Sequence, residues 1–257
     1  MIKVIFEDDS MLVLDKPAGL VSTPSETQKE PTLADILKSD HGVSLERGGL
    51  VHRLDKDTSG LILAAKDQAS FENLQAQFAD REVKKEYLAL VHGFAPESGE
   101  IKGAIARNPG DREKFIVMKD LEMGFDAARE ASTEYQREEL RVMSEEVMQS
   151  VFEGFNKIQM RKLHSSGYGK FSLIRCFPKT GRTHQIRVHL KYLGFPIIGD
   201  EKYGGRKTTR LDHRWCQRQF LHAAKISFNH PKSGEEMTFE SPLAEDLQKA
   251  LKNLEQV

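Results

Sequence analysis

The sequence predicts an α+β fold with a mixed, mainly antiparallel central sheet flanked by helices. Strand-like apolar segments occur in runs, and segments with helical spacing are interspersed among them without a regular strand–helix alternation. That arrangement is typical of α+β proteins. The 257 residues can bury one large core, and no segment has the composition of a linker, so we predict a single domain over residues 1–257.

The elements of the first half follow from alternation, turn residues and caps. Asp67 is the predicted cap of a helix because Phe71, Leu74 and Phe78 recur at helical spacing behind it. The other predicted elements are two strands around a polar turn at 7–10, a loop at 22–31, a helix at 33–38, a hairpin at 49–65 and a strand at 84–93.

The second half continues with strands and then changes period. Val147, Val151 and Phe155 lie four apart, which predicts an amphipathic helix within residues 138–158. Thr183 is a plausible cap for a helix that ends at Gly194. The remaining predicted elements are strands near 100–106, 114–118, 131–137 and 171–178, a hairpin at 220–242 and a closing helix at 243–254.

Charge is unevenly distributed although the net charge is only −1. Residues 120–154 hold ten Asp or Glu and three Arg, a balance of −7, whereas residues 155–232 hold seventeen Lys or Arg and three Asp or Glu, a balance of +14. The basic block suits a surface that neutralises phosphates. Mutual neutralisation of the two blocks explains the pattern equally well.

Composition also bears on location. No apolar run reaches membrane-spanning length, and the N-terminus lacks a signal-peptide pattern. The two cysteines, Cys176 and Cys216, do not make a disulfide framework. We therefore expect a cytoplasmic protein without a membrane partner, and we favour a monomer.

The stretch VHRLDKDTSG, residues 51–60, places two cations beside carboxylates in a turn between apolar runs. Read as D-x-D-x-T, it would be the nucleophile of a Mg²⁺-dependent phosphatase, but His52 and Arg53 interrupt the strand that this chemistry requires. Arg53 and Asp55 could instead form an ordinary ion pair on one side of a strand.

A third interpretation comes from resemblance. HRLDKDTSGLILAAK resembles the H-R-L-D-x-x-T-S-G-L-L signature of the RluA family of pseudouridine synthases. Four further segments resemble family motifs and follow in the family's order: LVLDKPAGL, KKEYLALVHG, KTGRTHQIRVHLKYLGFPIIGDEKYGG and FLHA. The resemblance covers most of residues 1–242 and implies the pseudouridine synthase fold.

The resemblance implies an isomerase that converts specific uridines in structured RNA to pseudouridine, with ribosomal RNA as the leading substrate and transfer RNA next. It makes Asp55 the catalytic carboxylate, Arg187 its partner, and Tyr87 the ring that stacks on the target base. Whether Asp55 attacks the sugar or removes a sugar proton to give a glycal stays open. Nothing is oxidised or transferred overall, so neither a cofactor nor a nucleotide is expected.

The same resemblance places Arg53 near the flipped nucleotide. Residues expected at the RNA backbone are Lys179, Arg182 and His184, for which a solvated surface position is a close alternative. Thr58, Ser59 and Gly60 are expected to shape the catalytic turn. The His and Cys residues of the second half match no familiar zinc spacing, so no metal is expected.

Two features depart from the family pattern. Members often carry a small S4 RNA-binding domain before the catalytic one, whereas this sequence starts at the opening strands, and we expect a catalytic domain that recognises its target alone. Residues 138–168 are longer than expected and could contact RNA, bind a partner or cover the sheet. The competing functional class is a non-catalytic RNA-binding protein with the same fold, which would be expected to lose Asp55, Tyr87 or Arg187.

Overall fold

The computed structural model describes residues 2–24, 30–118 and 128–257. Part of the predicted loop at 22–31 and part of the acidic block at 120–154 lie outside the described residues. The strands are, in chain order, β1 (Lys3–Glu7), β2 (Met11–Lys16), β3 (Ser59–Ala65), β4 (Lys84–His92), β5 (Ser98–Arg107), β6 (Phe115–Met118), β7 (Arg129–Val142), β8 (Lys170–Pro178), β9 (Leu221–Asn229), β10 (Glu236–Glu240) and β11 (Glu255–Gln256).

The helices are α1 (Leu33–Asp40), α2 (Gln68–Ala79), α3 (Glu145–Val151), α4 (Lys157–Ser165), α5 (Gln185–Leu193), α6 (Arg206–Asp212) and α7 (Glu245–Leu251), and a 3₁₀ turn spans Glu46–Gly49. The chain divides into two compact units. The first unit is Met1–Tyr87 with His222–Ala244, and the second is Leu88–Leu221 with Glu245–Val257. The boundary falls within strand β4, and the prediction of a single domain stays a prediction.

In the first unit, β1, β2 and β3 pair antiparallel in that order, and β9 joins β3 in parallel. Strand β10 pairs antiparallel with β9. Alternate residues of β2 enter different apolar clusters: Leu12 and Leu14 pack with α1, whereas Met11 and Val13 pack with α2. Strands β2 and β3 are therefore buried on both faces.

In the second unit, the strand order is β4, β8, β7, β5, β6, with β11 paired to β7. The pairs β7–β8, β5–β7 and β5–β6 are antiparallel. Helix α5 contacts β5, β6, β7 and β8. The prediction of an α+β fold with mixed, mainly antiparallel pairing is confirmed.

Four local predictions are wrong. The first arm of the 49–65 hairpin is not a strand: the 3₁₀ turn precedes it, and only Leu50 forms an isolated bridge, to Ala64. The period change at 138 is not the start of a helix, because β7 continues to Val142 through a bulge between Arg137 and Glu139. A bulge shifts the two-residue alternation and so imitates the end of a strand.

The structure joins β7 to β8 through two short helices, α3 and α4, instead of the single helix that the spacing predicted. Thr183 does not cap α5, because the cap position is occupied by His184 in a left-handed conformation without a side-chain cap bond. The C-terminal cap at Gly194 agrees with the prediction. Within the described ranges, no helix is both long and apolar enough to cross a membrane.

Candidate active site

Asp55 lies in an irregular loop between the 3₁₀ turn and the start of β3. The Asp55 carbonyl accepts a hydrogen bond from the Thr58 amide at 3.1 Å, which closes a tight turn. The Asp55 side chain is partly exposed, whereas Leu54 before it and Thr58 after it are buried. The loop is thus anchored on both sides of a carboxylate that substrate can reach.

A buried lysine is hydrogen-bonded to the backbone of the Asp55 loop. Lys16, at the end of β2, is fully buried, and its Nζ donates to the carbonyls of Pro17, Leu20 and Lys56 at 2.8, 2.8 and 2.9 Å. The Lys56 carbonyl also accepts from the Gly19 amide at 2.9 Å. A buried ammonium is tolerated only when its hydrogens are used, so these bonds connect the turn after β2 to the Asp55 loop.

Ser22 makes a second connection to the same loop. Its Oγ donates to the Leu54 carbonyl at 2.8 Å and lies 3.2 Å from the Leu54 amide, which donates back to it. Both residues are buried. The residue immediately before Asp55 therefore has its backbone donor and acceptor satisfied by one side chain.

The start of β3 is held by its parallel partner β9. Ser59 Oγ lies 2.9 Å from His222 Nδ1, and both side chains are buried. Gly60 has φ of +110°, and a Cβ there would lie 2.2 Å from the Ala223 carbonyl oxygen. Only glycine fits this approach, which accounts physically for the T-S-G end of the motif.

Tyr87 lies on β4 and packs against the apolar cluster that contains Leu54. Burial raises the pKa of the Tyr87 hydroxyl, and the nearby charge of Asp55 raises this pKa further. The structure therefore brings together Asp55 and Tyr87, two of the residues that the sequence singled out. A neutral phenol near a carboxylate can donate a hydrogen bond or a proton.

His52 has a structural role in the same loop. Its Nε2 accepts from the Leu63 amide at 3.0 Å, and its ring stacks on Phe78 at 4.8 Å. Burial lowers the pKa of His52 to about 3, and the charge of Lys85 adds to this shift. Burial also lowers the pKa of Lys85, whose Nζ lies 5.6 Å from the Phe78 ring, to about 8. Arg53, in contrast, is exposed.

In the second unit, Arg187 on α5 is buried and forms a bidentate ion pair with the fully buried Asp200. Nε and Nη2 donate to the two carboxylate oxygens, each at 2.8 Å. Asp200 also accepts from the Lys202 and Tyr203 amides at 2.9 and 3.1 Å, and the Arg187 guanidinium lies 5.2 Å from the Tyr203 ring. This geometry fixes the orientation of the guanidinium plane.

The predicted RNA-backbone residues differ in their surroundings. Lys179 is exposed and pairs with Glu134 at 3.0 Å, a surface pair worth little. Arg182 Nε donates to the Glu130 carbonyl at 3.2 Å. His184 Nδ1 lies 2.9 Å from the hydroxyl of Tyr203, the ring that the Arg187 guanidinium contacts. Their contacts with RNA remain predictions.

Sequence reasoning missed two residues that hold the site. Lys16 follows Leu12 and Leu14 at two-residue spacing, so a charged residue on the core face of a strand was the available signal. Asp200 lies within the segment GFPIIGDEKYGG, but its pairing with Arg187 depends on tertiary structure. The described part of the chain contains no group of three or more His, Cys, Asp or Glu arranged to hold a metal ion.

Comparisons with known proteins identify the family of this chain. Residues 10–192 match the family model described as RNA pseudouridylate synthase. An uncharacterized RNA pseudouridine synthase of Bacillus subtilis is 36% identical over 258 residues, covering 98% of this chain and 72% of that protein. The ribosomal large subunit pseudouridine synthase D of Xanthomonas campestris pv. campestris is 36% identical over 264 residues, covering 98% of this chain and 69% of that protein.

A solved structure shows the same fold. The human RNA pseudouridylate synthase domain containing 1 superposes with a TM-score of 0.68 at 24% identity, covering 94% of this chain and 83% of that one. At this identity the likeness concerns the fold alone. The family match spans more than half of the chain and includes Asp55, Tyr87 and Arg187. The chain therefore belongs to the RNA pseudouridylate synthase family, in its RluA-type branch, and is an isomerase that acts on RNA.

Proposed function

We propose that the chain converts specific uridines of ribosomal RNA to pseudouridine, with Asp55 as the catalytic carboxylate. Relatives named ribosomal large subunit pseudouridine synthase D support ribosomal RNA as the substrate. Transfer RNA is the second candidate. The reaction breaks the N1–C1′ bond and forms a C5–C1′ bond, while a proton leaves C5 and another binds N1. Atoms and electrons balance without a cofactor.

The observation that carries the proposal is the position of Asp55, in a loop bonded to buried groups and next to Leu54, whose apolar cluster packs against Tyr87. The charge of Asp55 acts on the Tyr87 hydroxyl, and Lys16 and Ser22 fix the backbone on either side of Asp55. A carboxylate held beside an aromatic ring suits a uracil that is detached, turned over and rejoined. Asp55 attacks C1′ or removes a proton from the sugar; both routes require it ionised.

Arg187 is proposed to stabilise this ionised form of Asp55. Its pairing with Asp200 supports the proposal, since a guanidinium oriented by one buried carboxylate can present its remaining edge to another anion without losing further side-chain freedom. A nearby cation favours the charged state of a carboxyl group.

Contacts with the RNA are proposed for Arg53, Lys179, Arg182 and His184. Arg53 supports this role because it is exposed and lies two residues from Asp55, where a guanidinium can occupy the space left by a flipped base. Base flipping costs a few kcal/mol, so uridines in loops are the favoured targets. We further propose that the protein acts in the cytoplasm as a monomer, with both described cysteines buried as thiols.

Pseudouridine mapping tests the proposed function. Total RNA from cells with and without the gene is treated with carbodiimide, and modified positions are read as reverse-transcription stops. We expect one or more ribosomal positions to lose the stop without the gene and to regain it with the wild-type gene, but not with Asp55→Asn. Unchanged ribosomal and transfer RNA maps would refute the proposal, and loss confined to transfer RNA would replace the substrate.

A further inference from the structure

We propose that the exposed face of α4, in the segment that joins β7 to β8, is a surface that binds the phosphate backbone of the RNA substrate. This inference rests on the proposed function, because it assigns part of the substrate's binding energy to residues that take no part in the reaction. The face consists of Lys157, Ile158, Arg161 and Lys162, all of which are exposed.

The spacing of these residues puts them on one side of the helix. Lys157 and Arg161 lie four residues apart, as do Ile158 and Lys162, so their side chains lie next to one another. Leu163, the buried residue of α4, projects from the opposite side. Three cations therefore point outwards around Ile158, whose exposed fraction of 67% is the largest among the exposed large hydrophobic residues of the described ranges.

No carboxylate of the described residues pairs with these cations, although Glu145 lies 3.4 Å from His164, one turn along α4 from Arg161. Across the described residues, Lys157, Arg161 and Lys162 form no ion pair or hydrogen bond through their side chains. Residues 154–199 contain nine Lys or Arg and no Asp or Glu. The charges are thus available to a polyanion, and the free energy of binding would come largely from released counterions.

Helix stability does not explain the pattern. Asn156 caps α4 by accepting from the Ile158 and Gln159 amides at 3.0 and 2.9 Å, and Gln159 Oε1 accepts from the Asn156 amide at 2.8 Å. Lys157 stands in the first turn, where the helix dipole disfavours a cation, whereas Lys162 stands in the last turn, where the dipole favours one. Since the helix is stabilised by its cap and by Leu163, Lys157 and Arg161 are better explained by a partner than by the helix itself.

Hydrogen bonds attach the segment to neighbouring parts of the second unit. Arg214 Nε and Nη2 donate to the carbonyls of Val151 and Glu153 at 2.8 and 3.0 Å, and its guanidinium lies 5.1 Å from the Phe155 ring. After α4, the Tyr168 hydroxyl donates to a carboxylate oxygen of the buried Asp212 at 2.9 Å. Both ends of the helical segment are therefore held to the chain around α6.

Asp212 also contacts the residue that precedes Asp200, the ion-pair partner of Arg187. The second carboxylate oxygen of Asp212 accepts from the Gly199 amide at 3.0 Å and lies 3.0 Å from His92 Nε2. Gly199 precedes Asp200, which holds the Arg187 guanidinium. RNA bound on α4 would consequently have a fixed position relative to Arg187. A mobile basic tail could bind RNA but could not fix its position in this way.

The test uses the full chain and an unmodified transcript of large-subunit ribosomal RNA labelled with tritium at uridine C5. The variant combines Lys157→Gln, Arg161→Gln and Lys162→Gln, and the matched control combines Lys3→Gln, Lys249→Gln and Lys252→Gln, which are also exposed and change the net charge equally. Binding is titrated at several KCl concentrations, and tritium release is measured in single turnovers at increasing enzyme concentration.

We expect the α4 variant to bind about 10- to 100-fold more weakly at 0.15 M KCl and to lower the slope of log K against log salt concentration by about 2. Its tritium release rate at saturating enzyme should equal that of the wild type, and the control should match the wild type in both assays. A melting curve within a few degrees of wild type verifies folding, and Arg161→Gln alone should give a smaller shift of the same kind.

A slope equal to that of the wild type overturns the proposal and leaves α4 as a solvated face or a contact for a protein. An equal loss in the control also overturns it, because general charge would then explain the effect. If the wild type releases no tritium from this transcript, the proposed ribosomal substrate fails, while the salt slopes still decide the role of α4.

Discussion

Lys16→Met tests whether the buried ammonium holds the Asp55 loop. When the Lys16 ammonium is removed, two of the three carbonyls that accept from it keep another hydrogen-bond partner. Pro17 is exposed to water, and the Lys56 carbonyl still accepts from the Gly19 amide. The Leu20 carbonyl loses its donor, which lowers the free energy of unfolding by about 1–3 kcal/mol. Methionine avoids burying a charge, so we expect the free energy of unfolding to fall by only about 1–3 kcal/mol.

Activity should fall by more than this loss of stability implies. The released turn at Lys56 directly follows Asp55, and a displacement of about 1 Å at a catalytic group lowers the rate about 10²-fold. We therefore expect kcat for tritium release from uridine C5 to drop by about 10- to 100-fold in a variant that is still folded in urea titrations.

Lys66→Met is the matched control for this substitution. Lys66 Nζ also donates to a backbone carbonyl, that of Asp8, at 2.7 Å, and to Glu7 at 3.0 Å, but it holds the turn between β1 and β2. We expect a loss of about 1 kcal/mol with kcat within about twofold of wild type. If Lys16→Met kept full activity, or if both variants lost activity equally, the proposed role of Lys16 would be refuted.

Three further predictions concern the same unit. Tyr87→Phe should lower kcat about 10²- to 10⁴-fold with RNA affinity within several-fold, and near-normal tritium release would contradict the role of the hydroxyl. Because the pKa of His52 is lowered from 6.5 to about 3, the unfolded chain binds more protons between these values. Stability should therefore fall below pH 6.5, by about 3 kcal/mol at pH 4.5. His52→Gln should lose less in urea titrations, and equal losses would contradict the assignment. Gly60→Ala, whose Cβ would lie 2.2 Å from the Ala223 carbonyl oxygen, should lower the free energy of unfolding by at least about 3 kcal/mol. Gly42→Ala, at φ of +65° in open space, should lower it by about 1 kcal/mol. Equal losses of stability would count against the close approach at Gly60.

Local patterns in the sequence predicted much of the fold because several elements carry their own signals. Asp67 caps α2 as its side chain predicted, and strand β4 ends at the residue before Gly93. The motif around Asp55 located the loop, and Tyr87 was singled out because its own strand, KKEYLALVHG, resembles a family segment. These features depend on neighbours in the chain, which a sequence displays directly.

Other features depend on contacts that are distant in the chain. The bulge after Arg137 reset the alternation of β7, and no single residue marks it. The sequence did not single out Lys16, because its bond to the carbonyl of Lys56 in the Asp55 loop joins residues 40 positions apart. Asp200 could be connected with the proposed site only through its ion pair with Arg187. Such roles follow from tertiary geometry, which periodicity does not encode.

Asp55→Asn tests the central claim most directly. The substitution keeps the size of the side chain and removes the charge, so RNA affinity should stay within several-fold of wild type while tritium release from uridine C5 is abolished. Binding and release are measured on the same transcript and the same protein preparation. An Asn variant that releases tritium at a rate near that of the wild type would contradict the assignment of the catalytic carboxylate.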